Sequence, residues 1–417
     1  MPFDPLAYRD PIPSPFLIHA LGPVVGGLVL PHLLRVRKID FPQADVARLR
    51  EVVRPGTAAF LGPNHPEFMT DWMIDKELSR RVSPLMAHWA SYEVVNIHPV
   101  AQALWLRNNL VANAPGGGGR AYSIRWALQG HGVLLHPEGT PTWQGDTVGP
   151  LVPGIVEMAW EACRARPDLP VFVVPVVWKL VFTRDVGREL GQEMARIERG
   201  TGLPDGHGLD VAARFAQLQR GILARSRARF DSGAADSPDF FAAQQAHADA
   251  LLTRLESKHG ASAGTLPRRL HALRRAILAR AAAGAEDARA DRRVLLEVER
   301  LSRFTRAGYG GATLTQEQIA ECLKQARLAF LTQGWTNGLH GVVPVAVAAR
   351  VAHLRAPAPI AVHEAFARGG DETAAKAEML DELRARLQGG LHALNRELAP
   401  EVGMRELEDL LGGGQVF

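Results

Sequence analysis

The chain has 417 residues, a formal charge of +4 and a pI near 9.3. Apolar residues make up 47% and charged residues 22% of it, which excludes a disordered or fibrous chain and fits two domains, or one large domain with an insertion. The mild basicity favours anionic partners such as a phospholipid surface, CoA or a phosphate-bearing substrate. It does not point to nucleic acid, because the arginines are dispersed over helical segments without interleaved aromatics. The two cysteines, Cys163 and Cys322, offer neither a disulfide framework nor a thiolate metal site, and a reducing, cytoplasmic setting follows.

In chain order, Asp4 and Asp10 stand where a signal peptide would carry basic residues, so no signal peptide is expected. Residues 16–34 form the most apolar run, interrupted by His19, Pro23, Pro31 and His32 and followed by Arg35, Arg37 and Lys38. This run predicts a short helical segment that rests on a membrane or caps the core, with a bilayer-spanning helix as the third alternative. Thr57–Gly62 reads as a strand, Thr70–Arg81 as a helix, Val133–His136 as a strand, Gly154–Ala165 as a helix and Val171–Trp178 as a strand. Strands alternating with helices predict an α/β fold, an open mixed sheet flanked by helices. From about Asp185 to Leu339 almost everything reads as helical, with breaks near Gly200–Gly208, Gly260–Gly264 and Gly308–Gly311. Val342–Leu354 and Ile360–His363 then look like strands, and a helix from about Ala374 to Leu398 closes the chain. The expected organisation is an N-terminal apolar segment (1–40), an α/β core (41–184), a large all-helical insertion (185–341), and return strands with a final helix (342–417). Two sequential domains are the alternative. Within the insertion, Leu266–Ala282 places Leu266, Leu270, Leu273 and Ile277 on one face with five arginines around the rest, which suits a helix packed inside the insertion or one lying on an anionic membrane.

The chemistry concentrates in Pro63-Asn64-His65-Pro66-Glu67-Phe68-Met69-Thr70-Asp71, between a strand and a helix. A histidine there can deprotonate a hydroxyl near neutral pH, and a nearby carboxylate can fix its tautomer. About 70 residues later His136-Pro137-Glu138-Gly139-Thr140 ends a second apolar strand, and Val174-Pro175-Val176 puts a proline inside a β-run, expected only at an edge or bulge. In this order and at these separations the segments resemble three sequence blocks of the glycerolipid acyltransferase superfamily, which includes the lysophosphatidic acid and glycerol-3-phosphate acyltransferases. The similarity covers roughly residues 15–183 and, more faintly, 342–398.

The resemblance implies that His65 is the general base and Asp71 its partner. It implies that Asn64, Glu138, Gly139 and Thr140 bind the acceptor and that Pro175 lies near the acyl site. Acyl-CoA or acyl carrier protein would be the co-substrate, with no cofactor, no metal and no acyl-enzyme. The acceptor would be a lysophospholipid, glycerol phosphate or other lipid alcohol, at the cytoplasmic face of a membrane.

Three departures stand out. Five residues separate His65 from Asp71 where the family has four, and on a continuous helix one extra residue turns a side chain by about 100°. The usual phosphate-gripping arginine of the second block is missing, with Arg120, after the run Gly116–Gly119, or Arg107 as substitutes. Pro141 replaces the arginine that often follows Glu-Gly-Thr. The glycine run itself suits a surface loop or a phosphate cradle equally. His98, His131 and His136 read as packing or polar-network residues, and Trp72, Trp89, Trp105 and Trp143 as core aromatics rather than the lining of an acyl groove. The competing readings are a non-catalytic lipid-binding relative and a thioesterase that uses the same base on water.

Overall fold

A computed structural model of the chain describes residues 7–114, 116–309, 311, 313–331, 337, 340, 343, 345–402 and 406–411. The chain divides into two compact units. One comprises Met1–Thr183 with Ala349–Leu398, and the other Arg184–Ala348 with Ala399–Phe417.

The first unit is an α/β layer structure. Ser14, whose hydroxyl accepts the Leu17 N–H, starts helix α1 (Pro15–Val24), and a π-helical turn continues it over Val25–Leu33, where Pro31 interrupts the regular ladder. Together Pro15–Leu33 form one helix long and apolar enough to cross a membrane, near the N-terminus. Then come β1 (Val36–Asp40), α2 (Gln43–Val52), β2 (Ala58–Pro63), α3 (Thr70–Val82), β3 (Ala87–Ser91), α4 (Tyr92–Val95), α5 (Pro99–Arg107), β4 (Leu110–Asn113), α6 (Gly118–Leu128), β5 (Val133–Leu134), α7 (Gly154–Ala165) and β6 (Val171–Phe182).

The second unit carries α8 (Gly187–Thr201), α9 (Val211–Phe230), α10 (Phe240–His259), α11 (Leu266–Ala282), α12 (Ala288–Arg303), α13 (Arg306–Tyr309), β7 (Thr313–Thr315) and α14 (Gln316–Phe330). The first unit resumes with β8 (Arg350–Arg355), β9 (Ile360–Ala361) and α15 (Val362–Arg368). The long α16 (Glu372–Val402) and β10 (Glu406–Glu408) close the chain.

Eight strands form one mixed sheet in the order β1-β8-β6-β2-β5-β3-β4, with β9 also paired to β6. β2 runs parallel to β5 and β6, whereas β8 and β9 run antiparallel to β6. Every residue of β2 is buried, as is nearly all of β6. Helices covering both faces of a parallel sheet require such continuous apolar runs, so β2 and β6 lack the alternation of a half-exposed strand.

The strand expected over 342–354 is shorter, beginning at Arg350, because 345–349 are irregular; part of that range lies outside the described residues. Pro175 was expected at an edge or bulge, yet β6 is interior. The proline pairs with Gly62 on the β2 side, between the stretch of β6 that meets β9 (Phe172–Val173) and the stretch that meets β8 (Val177–Phe182). A missing N–H is tolerated where the outer partner changes.

Among the described residues, the second unit is helical apart from the two-stranded ladder of β7 and β10. Asp210 and Asp239 cap α9 and α10, and Thr315 with Gln318 forms a capping box on α14. Phe215, Phe240, Phe241, Phe304 and Tyr309 pack edge-on or tilted in its core. In α11 only Leu273 and Ile277 are buried, while Arg269, Arg274 and Arg280 pair with Glu256, Glu299 and Asp287 of the same unit. These arginines are neutralised within the unit. Cys163 and Cys322 are buried free thiols.

Candidate active site

The site forms at the carboxyl ends of β2 and β5, adjacent parallel strands in mid-sheet, the place where open α/β sheets bind ligands. The loop after β2 carries His65, and the loop after β5 carries His136 and Glu138. Helix α3 opens with Thr70 and places Asp71 in its first turn. The His65 Nδ1 lies 2.7 Å from the Asp71 Oδ2, with both side chains largely buried.

The extra residue between them is absorbed before the helix begins. Met69 adopts φ +68°, ψ −46°, and the Thr70 N–H closes a tight turn onto the Phe68 carbonyl at 2.8 Å. A non-glycine residue there carries backbone strain of about 1–3 kcal/mol. The strain is stored at the turn that returns Asp71 to His65.

Glu138 joins the two loops. Its Oε2 accepts the His65 N–H at 2.6 Å and its Oε1 accepts the Gly149 N–H at 2.5 Å, and the residue is 3% exposed. Burial pushes its pKa up to about 7, opposed by those two N–H donors and by His136. The Thr142 N–H returns to the His65 carbonyl at 2.8 Å, which closes the same junction. Glu138, expected to grip the acceptor, is instead committed to the backbone on both oxygens.

Asn64 is a clamp of the same kind. Its side chain accepts the Trp178 N–H at 2.8 Å and donates to the Trp178 carbonyl at 3.0 Å, tying the loop to β6. Below it, Glu67 and Arg350 form a buried bidentate pair with contacts of 2.8 and 3.1 Å. Gly139 is exposed at φ +72°, and Thr140 is half-buried beside it in the same turn. A side chain at Gly139 would have space, with Val152 at 3.6 Å, but not the conformation, so glycine is required for the turn.

Other expectations resolve differently. Both forks of Arg120 are taken, by Glu157 at 2.8 Å and by Glu161 at 2.7 and 3.0 Å, so it pins α6 to α7 instead of reaching the site. Gly118 abuts the Tyr8 ring so closely that a Cβ would stand 2.2 Å from it and Gly119 packs on Ala112, so these two form a packed helix start, whereas Gly116 and Gly117 precede it as an exposed turn with open space around them. Pro175 lies within β6, flanking β2. His98 caps α5 and His131 stacks on Trp126. Trp72 and Trp105 pack edge to face in a core cluster with Val95 and Leu106.

His136, read as a packing or polar-network residue, joins the site itself. Its ring stacks on that of His65 with centroids 4.0 Å apart and planes at 14°. Its Nε2 lies 2.9 Å from the Asp75 Oδ2, one helical turn beyond Asp71. The spacing Asp71-x-x-x-Asp75 on α3 was the available signal, since residues four apart share a face. Burial alone would lower the His136 pKa, but Asp75, Asp71 and Glu138 outweigh it and raise it to about 9. Burial pushes Asp75 above the usual carboxylate range against the pull of His136, so the two titrate as a pair. A folded pKa above the unfolded one contributes stability that is complete below about pH 6.5 and lost as pH climbs through about 9. Denaturation midpoints of the wild type and of His136→Gln should therefore differ most near pH 6 and converge toward pH 10.

His65, Asp71 and His136 bring one potential ligand atom each within 4.8 Å of one another. Donors around a tetrahedral zinc stand about 3.3 Å apart. The 2.7 Å contact between His65 and Asp71 is a hydrogen-bond distance, and the His136 Nε2 is taken by Asp75. The cluster suits proton transfer better than a cation.

No family model matches this chain, and no curated protein matches it in sequence.

Proposed function

We propose that the protein is an acyltransferase that moves a fatty acyl group from acyl-CoA or acyl carrier protein to a hydroxyl of a glycerolipid-type acceptor. One observation carries the reading. Two segments separated by about 70 residues meet at one point, with His65 on Asp71 and Glu138 holding the His65 backbone. With Nδ1 on Asp71, Nε2 is the nitrogen through which His65 takes the acceptor's hydroxyl proton. The oxygen attacks the thioester carbonyl, the tetrahedral adduct collapses, the C–S bond breaks and the thiolate leaves with its electron pair. Asp71 stabilises the imidazolium that forms. Neither cysteine enters this step.

Pro15–Leu33 supports work at a membrane surface. Phe16, Val24, Leu28 and Leu33 are exposed, and Arg35, Arg37 and Lys38 follow. The exposed Ile12 donates its N–H to Leu106 at the end of α5, whose Val100 and Leu104 are exposed too, so the apolar surface continues there. Gly22 and Gly26 allow the helix to approach Arg80 and Glu77 of α3. The outer face then suits an anionic lipid surface, with each buried large apolar side chain worth about 1.5–3 kcal/mol. Phe16→Asp with Leu28→Asp should lower partitioning onto phosphatidylglycerol vesicles at least about tenfold in flotation. Unchanged partitioning would remove this face as the docking surface. The reaction itself is tested by thiol release from acyl-CoA that depends on an added acceptor hydroxyl.

A further inference from the structure

His136 is held beside the base in a way that fixes its charge. The contacts of both ring nitrogens are to acceptors. Nδ1 lies 3.1 Å from the Asn64 carbonyl oxygen and 3.3 Å from that of Pro63. Nε2 lies 2.9 Å from the Asp75 Oδ2 and 3.8 Å from the Asp71 Oδ2. Beside an ionised Asp75, a neutral imidazole has a single N–H and would leave one nitrogen lone pair facing oxygen lone pairs. Two protons on the ring satisfy every contact.

The charged groups around it are consistent with that state. Asp71 and Asp75 face it from α3, and Glu138 stands two residues along its own loop, with Arg384 beyond Glu138. Lys76 lies beyond Asp75, and His88 on β3, bonded to the Ser79 hydroxyl at 2.8 Å, is held neutral by burial. Asp75 therefore supplies the counter-ion to His136, while Asp71 serves His65.

Resting on the reading of His65 as base, we propose that His136 is a positioning residue, a fixed imidazolium whose charge keeps the stacked His65 in its neutral, proton-accepting form. Asp71 by itself would draw a proton onto His65 and disable it as a base. A cation stacked face to face at 4.0 Å opposes that protonation while leaving Asp71 free to orient the ring. When His65 accepts the hydroxyl proton, the same repulsion favours its prompt release to the departing thiolate. Asp71 and Asp75 on one helix and His65 with His136 in the loops after two adjacent strands thus make two His–Asp pairs, one that turns over and one that stays charged.

The test uses the full chain labelled with 15N-histidine and needs no activity. Long-range 1H–15N spectra between about pH 5.5 and 8.5 read the protonation of each ring nitrogen. Wild-type His136 should show both nitrogens protonated throughout, and its signals should vanish in His136→Gln. In that variant the His65 midpoint should rise by at least about one pH unit, a tenfold change in its protonation constant. His136→Phe, which keeps a flat ring against His65, should give the same rise if His136→Gln does not fold. A wild-type His136 with one protonated nitrogen at pH 7 overturns the proposal, and so does a His65 midpoint that stays or falls in the variants. A protein with this signature that transfers no acyl group would leave the charge assignment intact and remove only the reaction.

Discussion

Replacing His65 by alanine should lower acceptor-dependent thiol release about 10³- to 10⁴-fold, at the upper end of what a positioned general base contributes. The size follows from geometry. His65 is anchored three ways: by Asp71 at its ring, by Glu138 at its N–H and by Thr142 at its carbonyl. A group so fixed pays little reorganisation at the moment of proton transfer, so its loss should not be made good by a neighbour. His136 cannot stand in, because both of its nitrogens are engaged. Asp71→Asn should cost about 10²-fold, since the ring keeps its place but loses its counter-charge. Thermal melts of both variants should stay close to the wild type, which separates a chemical defect from a folding one. A His65→Ala variant that kept wild-type turnover would show that the proton leaves by another route.

The largest effect on stability should come from Arg350. Its guanidinium meets both oxygens of Glu67 and also donates to the Leu34 carbonyl at 3.2 Å, all buried. Arg350→Leu leaves the Glu67 carboxylate uncompensated in a dry setting and should cost about 3–5 kcal/mol in denaturant titrations. Arg350→Leu combined with Glu67→Leu should recover much of that loss, because apolar replacements of a buried pair are often near neutral. The pair links the β2–α3 loop, which carries His65, to the start of β8. Arg350→Leu should therefore also depress turnover more than its stability loss explains. Equal stability of the single and double variants would show that the pair is not a coupled unit.

The strands built from continuous apolar runs were legible in the sequence. Thr57–Gly62 and Val171–Trp178 are apolar without alternation, and burial on both faces leaves a strand no other pattern. Harder to read were contacts that depend on the fold. The position of Asp71 looked one residue late, and only the turn at Met69 shows how it reaches His65. Arg120 stood at a plausible place for an anion, but nothing in the local sequence announced that Glu157 and Glu161 on another helix would take it. Glu138 and Asn64 had the right residue types for ligand contacts, and their use as backbone clamps depends on partners 11 to 114 positions away. Arg350 lies 283 residues from Glu67, a pairing that only the return of β8 to the sheet creates. The segment at Pro15–Leu33 was readable as apolar from composition, whereas its packing against α3 depends on Gly22 and Gly26 standing on the inner face.

Acyl transfer to a hydroxyl can be measured on the wild-type protein. A long-chain acyl-CoA is incubated with the protein, with and without lysophosphatidate or glycerol 3-phosphate, and free thiol, free fatty acid and new ester are quantified by mass spectrometry. Thiol release should require the acceptor and match new ester one for one. Free fatty acid formed at the same rate without acceptor, or no thioester consumption with any acceptor, would contradict it.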